Sequence, residues 1–422
     1  MLTDITSSNS KSAILTVVLG SLLLALLVSV PFVLCGDVAL LDAFFEGFSA
    51  LTTTGTTTSA VMCDGLILWR SIVQWFGGIV FIVLFVAVLP RIIKSHMFVF
   101  NQELGVVANW RLLPEWQDIS KIFLAMYAGL TAIIFAGMML LGVDVFGALN
   151  YALGIAATAK VDLYGAGLPA LTAPVKIFMG LAMLVAGGNY AFYYFACRNG
   201  FKKTVKDCEF CTYLSLVVIA TVLIVLQCLY LGKWETSWTD VFCQCCSFLS
   251  TTGMVVSDSG TWTSFGNVVF MFLLFVGGCA GSAAGGLKIC RFVVLLKQFN
   301  WDVRAVFHPK MVAGVDYNGK KVNNSVLTNI SFYFCAYVLT VVVVALCLAI
   351  YDFAALDAFL NAVACVSNNG VVFVGGVAGG TLTGVSVLGK VAMMVGMLMG
   401  RLEIFMILVL LLPEFWQVSK RW

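Results

Sequence analysis

The stretch DAFFEGFSALTTTG, Asp42 to Gly55, recurs in outline as DVFCQCCSFLSTTG from Asp240 to Gly253 and as DAFLNAVACVSNNG from Asp357 to Gly370. Each time an aspartate is followed by a short apolar segment and, thirteen residues on, by a glycine that ends a Thr- or Asn-rich turn. A fourth copy, DVFGALNYALGIAA, starts the same way at Asp144, but its thirteenth residue is Ala157. Segments 43–54, 145–156, 241–252 and 358–369 are apolar yet too short to cross about 30 Å of hydrocarbon, which takes about 20 helical residues. They are therefore expected to enter a membrane and turn back. Non-helical backbone at membrane depth survives only where it is buried or lines a water-filled cavity.

Composition agrees with a bilayer. Hydrophobic residues make up 61% of the 422, charged residues 11%, and the mean hydropathy is +1.02; a soluble domain carries about a quarter charged residues. Eight segments are read as spans: 13–35, 70–93, 121–142, 172–196, 211–232, 264–296, 329–351 and 385–412. Seventeen lysines and arginines fall on one set of connections and ends, and five (Arg70, Lys160, Lys176, Lys233, Lys390) on the other. The positive-inside rule then puts both termini in the cytoplasm. The first span is too long an apolar run for a cleaved signal peptide, and a multi-pass protein of the inner or plasma membrane is expected.

Ordering the pieces gives four units: 13–95, 120–198, 210–297 and 328–415. Each reads as spanning helix, short re-entrant helix, turn, spanning helix, and the fold class is an all-α polytopic membrane protein with pseudo-fourfold symmetry about one pore. The aspartate opening each short helix is expected to cap its N-terminus, and the helix C-termini to point their negative ends inward, favouring a cation. The turns carry the chemistry. Thr53, Thr54 and Gly55, Thr251, Thr252 and Gly253, and Asn368, Asn369 and Gly370 are expected to present backbone carbonyls to a dehydrated ion, with each glycine at φ > 0. Ala157 stands as the damaged fourth member, and Lys160 is expected near the outer mouth, beside Asp162.

Other features are read as structural. The cysteines sit mostly in apolar segments as small hydrophobes, and Cys208/Cys211 and Cys243/Cys245/Cys246 have no partner histidines for a metal site. His96 and His308 fall in connections. Gly314–Lys320 and Gly384–Lys390 both read GxxxxGK but lack the Ser or Thr that a phosphate loop needs. The first is expected to be a hairpin turning at Asn318–Gly319, the second to open an apolar helix. No catalytic constellation, no nucleic-acid partner and no cofactor in this chain beyond the conducted ion itself are expected.

The four-unit pattern resembles the Trk/Ktr/HKT superfamily of potassium transporters, and most closely its TrkH-like pore subunits. The strings WFGGIVFIVLFVAVLP (75–90), GGCAGSAAGGLKICRFVVLLK (277–297), FHPK (307–310) and GRLEIFMILVLLLPEFW (400–416) carry the resemblance further. The expected departure from TrkH-like proteins is the lack of their common extra N-terminal helix pair, which would bring the length closer to KtrB-like subunits. The resemblance implies filter glycines at Gly55, Gly253 and Gly370. It also implies a gating loop at Gly277, Gly278, Gly281, Ser282, Gly285 and Gly286, where glycines in a helix interior cost about 1 kcal/mol each, and a pore-facing Arg401 below the filter. Lys288 is expected to snorkel to the boundary. The resemblance further implies a homodimer and a cytosolic nucleotide-binding regulatory subunit of TrkA/KtrA type, for which the basic stretches 198–206 and 291–321 are a docking surface. Potassium uptake is the function implied. The alternatives are a weakly selective potassium/sodium conductor, or a non-conducting sensor or interaction homologue, because one filter quarter is degenerate.

Overall fold

A computed structural model describes residues 8–36, 38–58, 62–84, 116–161, 163, 171–200, 206–232, 237–256, 262–307, 314–380, 382 and 384–416. Residues 85–90 of the quoted strings, Asp162, His96, 308–310 and 201–205 lie outside them. The first unit is α1 (Ser8–Gly36), α2 (Leu40–Leu51) and α3 (Asp64–Val83). The second is α4 (Trp116–Leu140), α5 (Val145–Ala156), α6 (Ala173–Ala186) and α7 (Tyr190–Asn199). The third is α8 (Cys208–Tyr230), α9 (Trp238–Leu249), α10 (Ser264–Val276) and α11 (Ile289–Phe307), followed by a hairpin of β1 (Asp316–Tyr317) and β2 (Lys320–Lys321). The fourth is α12 (Asn324–Ala349), α13 (Ala355–Val366), a second hairpin of β3 (Phe373–Val374) and β4 (Val377–Ala378), α14 (Val387–Arg401), α15 (Ile404–Leu410) and α16 (Pro413–Trp416).

Burial sorts these helices into two rings. Only 28%, 22%, 28% and 33% of the spanning windows of α1, α4, α8 and α12 are buried, against 61% for α3. The first helix of each unit thus turns an apolar face outward, where lipid replaces water as solvent, while α3, the second helix of the first unit, is mostly inside. Each inner helix also packs on the short helix of the next unit: α3 on α5, α6 on α9, α10 on α13, and α14 on α2. The ring closes.

Three expected spans are not straight. Segment 172–196 bends by 89° between α6 and α7, and 385–412 by 115° between α14 and α15. The first bend follows Gly187–Gly188, after which Asn189 starts a new helix by accepting from the backbone N–H of Ala191 at 2.9 Å. The second falls at Glu403, which holds φ +63° while its carboxylate takes Arg291 at 2.8 Å. Segment 264–296 is interrupted between Val276 and Ile289, over the Gly-rich stretch.

The capping expectation holds for one aspartate in four. Asp144 is the N-cap of α5 and accepts from Gly147 N–H at 2.8 Å. Asp42, Asp240 and Asp357 are instead third residues of their helices and look outward for partners. Asp240 pairs with Lys176 at 2.9 Å, Asp42 pairs with Lys390, and Asp357 accepts from the N–H groups of Gly375 and Gly376. The two lysines are the fourth residues of α6 and α14, so they staple one unit to the next. The fourth residue of α10, Asn267, reaches the Gly376 carbonyl at 3.4 Å, beside Asp357.

Both GxxxxGK strings take the expected forms. Asn318 and Gly319 turn the first hairpin at φ +50° and +78°, and Ser386 caps the start of α14 through Gly389 N–H at 3.0 Å.

Candidate ion-conduction site

The short helices end in one repeated turn. Their C-caps are Thr52, Ala157, Ser250 and Ser367, all with ordinary helical or near-helical angles. The next residue is left-handed in all four units: Thr53 at φ +57°, Thr158 at +51°, Thr251 at +58° and Asn368 at +53°. For a β-branched residue this is an outlier, and strained backbone of this kind gathers at functional sites. Among the described residues, no protein donor reaches the carbonyls of Thr53, Thr158, Thr251 and Asn368, or those of Thr54, Ala159, Thr252 and Asn369 one residue on. Two rings of polar, buried, unclaimed oxygens therefore sit where four strands meet.

The glycine level is third in each turn, and it corrects the sequence reading. Counting from the helices, the residue matching Gly55, Gly253 and Gly370 is Lys160, not Ala157. Asp144 caps its helix from outside while the other aspartates lie inside theirs, so a count of thirteen from Asp144 falls three residues short. Ala157 is only the C-cap, at φ −76° and ψ −5°. The signal was in the sequence: Thr158-Ala159-Lys160 aligns with Thr-Thr-Gly. Lys160 is also 4% exposed rather than a surface lysine at an open mouth. Gly55 and Gly253 take φ +79° and +77° as expected, whereas Gly370 and Lys160 do not adopt positive φ.

Close approach explains the glycines. A Cβ on Gly55 would meet the N and Cβ of Lys160 at 2.7 and 2.9 Å. On Gly253 it would meet Asn369 Oδ1 at 2.6 Å and Gly370 N at 2.7 Å, and on Gly370 the Thr54 carbonyl and Lys160 Cβ. The turns are crowded onto one another at a single point.

A clamp behind three of the four turns went unnoticed in the sequence. The seventh residue of the short helix holds the strand beyond the glycine. Glu46 accepts from Thr57 Oγ1 and Thr58 N–H, both at 2.7 Å. Gln244 donates to the Met254 carbonyl at 3.2 Å and accepts from Val256 N–H at 2.9 Å, and Asn361 bonds both backbone groups of Phe373 at 2.8 Å. The second unit has Tyr151 at this position.

Below the turns, residues 277–288 cross as a non-helical loop. Gly277, Gly281 and Gly286 take φ of +74°, +77° and +80°, open only to glycine at low cost. Gly285 N–H donates to Thr251 Oγ1 at 2.8 Å, and a Cβ on Gly285 would strike the Ser367 carbonyl. Gly278 packs against the Gly187 carbonyl, which accepts from Cys279 N–H at 3.0 Å. Glu209 takes Ala280 N–H at 2.6 Å and Asn189 Nδ2 at 3.2 Å. Ser282 folds back onto the Cys279 carbonyl at 2.7 Å. Lys288 does not snorkel: its ammonium donates to the Ala284 carbonyl at 2.6 Å.

Arg401 is buried beneath this loop, donates to the Ala283 carbonyl, and lies 4.8 Å from the Phe81 ring. Among the described residues its Nε and second Nη have no hydrogen-bond acceptor. Glu403 is not its partner, because Arg291 takes that carboxylate and stacks 3.9 Å from the Tyr333 ring. Phe81, Ser282, Gly285, Lys288, Tyr333 and Arg401 line a cavity of about 50 Å³ under the turns. All fourteen cysteines are free, and the described residues hold no cluster suited to a metal.

Residues 210–417 match the family model TrkH, a cation transport protein. Over 97% of its length the chain is 30% identical to the Trk system potassium uptake protein TrkH of Escherichia coli K12, covering 86% of that protein. It is 31% identical to TrkH of Vibrio parahaemolyticus, again over 97% of this chain and 86% of that protein. It is also 31% identical to the Trk system potassium uptake protein TrkI of Halomonas elongata, over 92% and 80%. The fold matches the crystal structure of the potassium transporter TrkH from Vibrio parahaemolyticus with a TM-score of 0.87 at 27% identity, covering 98% of this chain and 87% of that one. A chain of four helix–turn–helix quarters closed about one set of turns, alike over nearly its whole length to these proteins, belongs to the TrkH family of cation transport proteins.

Proposed function

We propose that this chain is the pore subunit of a Trk-type potassium uptake system, a membrane transporter rather than an enzyme. The observation that carries this reading is the fourfold repeat of a strained left-handed residue, at Thr53, Thr158, Thr251 and Asn368, under carbonyls that no donor among the described residues occupies. Rings of backbone carbonyls replace an ion's hydration shell in selective filters. The short helices direct their negative ends at the same point. Potassium then moves down its electrochemical gradient, driven by voltage at about 2.3 kcal/mol per charge per 100 mV.

The loop at 277–288, tied to Thr251 above and Arg401 below, is the gate in this reading. Cytoplasmic termini in the inner membrane, a homodimer and a cytosolic nucleotide-binding regulator complete it. Exposed Arg304, Lys320 and Lys321 suit the docking of such a regulator. Potassium uptake, measured as growth at low potassium in cells stripped of their own uptake systems, tests the proposal. Rescue is expected. No rescue and no potassium flux in reconstituted vesicles, at normal membrane abundance, would instead make this a non-conducting homologue.

A further inference from the structure

The glycine-level carbonyls are not equivalent, and one helix makes the difference. α3 carries Arg70 and Gln74 four residues apart, on one face. Arg70 donates to the Gly55 carbonyl, and its Nε stands 3.7 Å from Glu46 Oε2. Gln74 Nε2 donates to the Lys160 carbonyl at 3.0 Å. Arg70, Gln74, Glu46 and Lys160 are all buried. Among the described residues no donor meets the Gly253 or Gly370 carbonyl. The other inner helices carry apolar residues at the same two places, counted from their first residues: Met179 and Met183 on α6, Phe270 and Leu274 on α10, Met393 and Met397 on α14. Packing behind a filter turn thus needs only an apolar side chain, and a buried arginine and glutamine there ask for another explanation.

We propose that α3 sets the ion preference of this pore. Arg70 and Gln74 hold the Gly55 and Lys160 carbonyls on the protein side, so the outer ring offers an ion only the carbonyls of Gly253 and Gly370. Discrimination then falls to the two inner rings, at 53/158/251/368 and 54/159/252/369. Selectivity depends on the number and field strength of coordinating oxygens, and a carbonyl oxygen that already accepts from a guanidinium or an amide has one lone pair engaged and a weaker field left for an ion. This inference rests on the ion-conduction reading of the turns. It makes Arg70 and Gln74 positioning residues, acting through the carbonyls they hold.

The test gives α3 the residues of its counterparts. Replacing Arg70 alone would strand the Glu46 carboxylate, so the variant is Glu46→Gln/Arg70→Met/Gln74→Met in the full chain. The readouts are potassium and sodium binding to the purified protein by calorimetry, and the bi-ionic reversal potential in proteoliposomes. The ratio of potassium to sodium affinity is expected to rise about tenfold, and Arg70→Lys to stay near the native ratio. A ratio within about twofold of native, in a variant that melts normally without added ions, overturns the proposal. If the triple variant fails to fold, Gln74→Met, which keeps the Glu46–Arg70 pair, is expected to raise the ratio about threefold, and no rise overturns the proposal equally. Loss of flux in every protein would defeat the transport reading, while the binding ratio would still decide the role of α3.

Discussion

At the scale of single residues, the left-handed positions and the glycines above them govern what each turn tolerates. A valine at Gly253 must hold φ +77° and meet Asn369 Oδ1 and Gly370 N at under 3 Å. Left-handed backbone already costs an L-residue roughly 1–2 kcal/mol. Gly253→Val is therefore expected to abolish potassium-selective flux, and a native potassium-to-sodium permeability ratio in that variant would disprove the filter assignment. Ala157 has lost the role the thirteen-residue count gave it. Ala157→Gly, at a helical C-cap, is expected to leave selectivity unchanged and to cost stability of about 0.5–1 kcal/mol at most. Lys160→Gly changes the glycine level itself and is expected to raise flux. Vesicle flux assays on the two variants side by side check which residue completes the ring, and the opposite pattern would return that place to Ala157.

At the scale of elements, the break in the third unit matters most. The loop between α10 and α11 has few backbone bonds of its own and is pinned by side chains from elsewhere. Glu209 on α8 holds Ala280, Thr251 on the filter turn holds Gly285, and Arg401 on α14 holds Ala283. Losing the partner of a buried N–H costs about 1–3 kcal/mol. Glu209→Leu strands both Ala280 N–H and Asn189 Nδ2, so it is expected to loosen the loop and raise basal flux, whereas Glu209→Gln keeps acceptors and stays closer to native. Faster hydrogen exchange confined to 277–288 would accompany the first change. Arg401→Met removes the cation under the turns and is expected to raise flux as well. Native rates for both Glu209→Leu and Arg401→Met would leave the loop a passive plug.

At the scale of the whole molecule, the ring is held by ion pairs that cross from one unit to the next. Lys176–Asp240 is the more buried, with side chains 9% and 16% exposed, and Lys390–Asp42 the less, at 13% and 25%. Breaking a buried pair costs about 3–5 kcal/mol, because one charge is left uncompensated, while replacing both members by apolar residues is often neutral. Lys176→Met is expected to lower the melting temperature in detergent more than Lys390→Met does, and Lys176→Met/Asp240→Leu to recover most of the loss. Equal, additive losses in the single and double variants would show that these contacts do not join the units.

The sequence alone determined the environment, the four-unit plan and the three glycine turns, because apolar length and repeat spacing are local properties of the chain. It also marked the break at Gly277–Gly286, since a run of small residues weakens any helix that contains it. The fourth turn was misread by three residues because an aspartate outside a helix and one inside it look alike in sequence. Only the tertiary structure decided that. It alone brought Glu46 behind Thr58, Arg70 to the Gly55 carbonyl and Arg401 beneath Ala283. These contacts join residues from 12 to 118 positions apart. Local patterning carries no information about pairs so distant in the chain. Their cause is the closing of the ring, which buries each polar group until it must find the one partner left within reach.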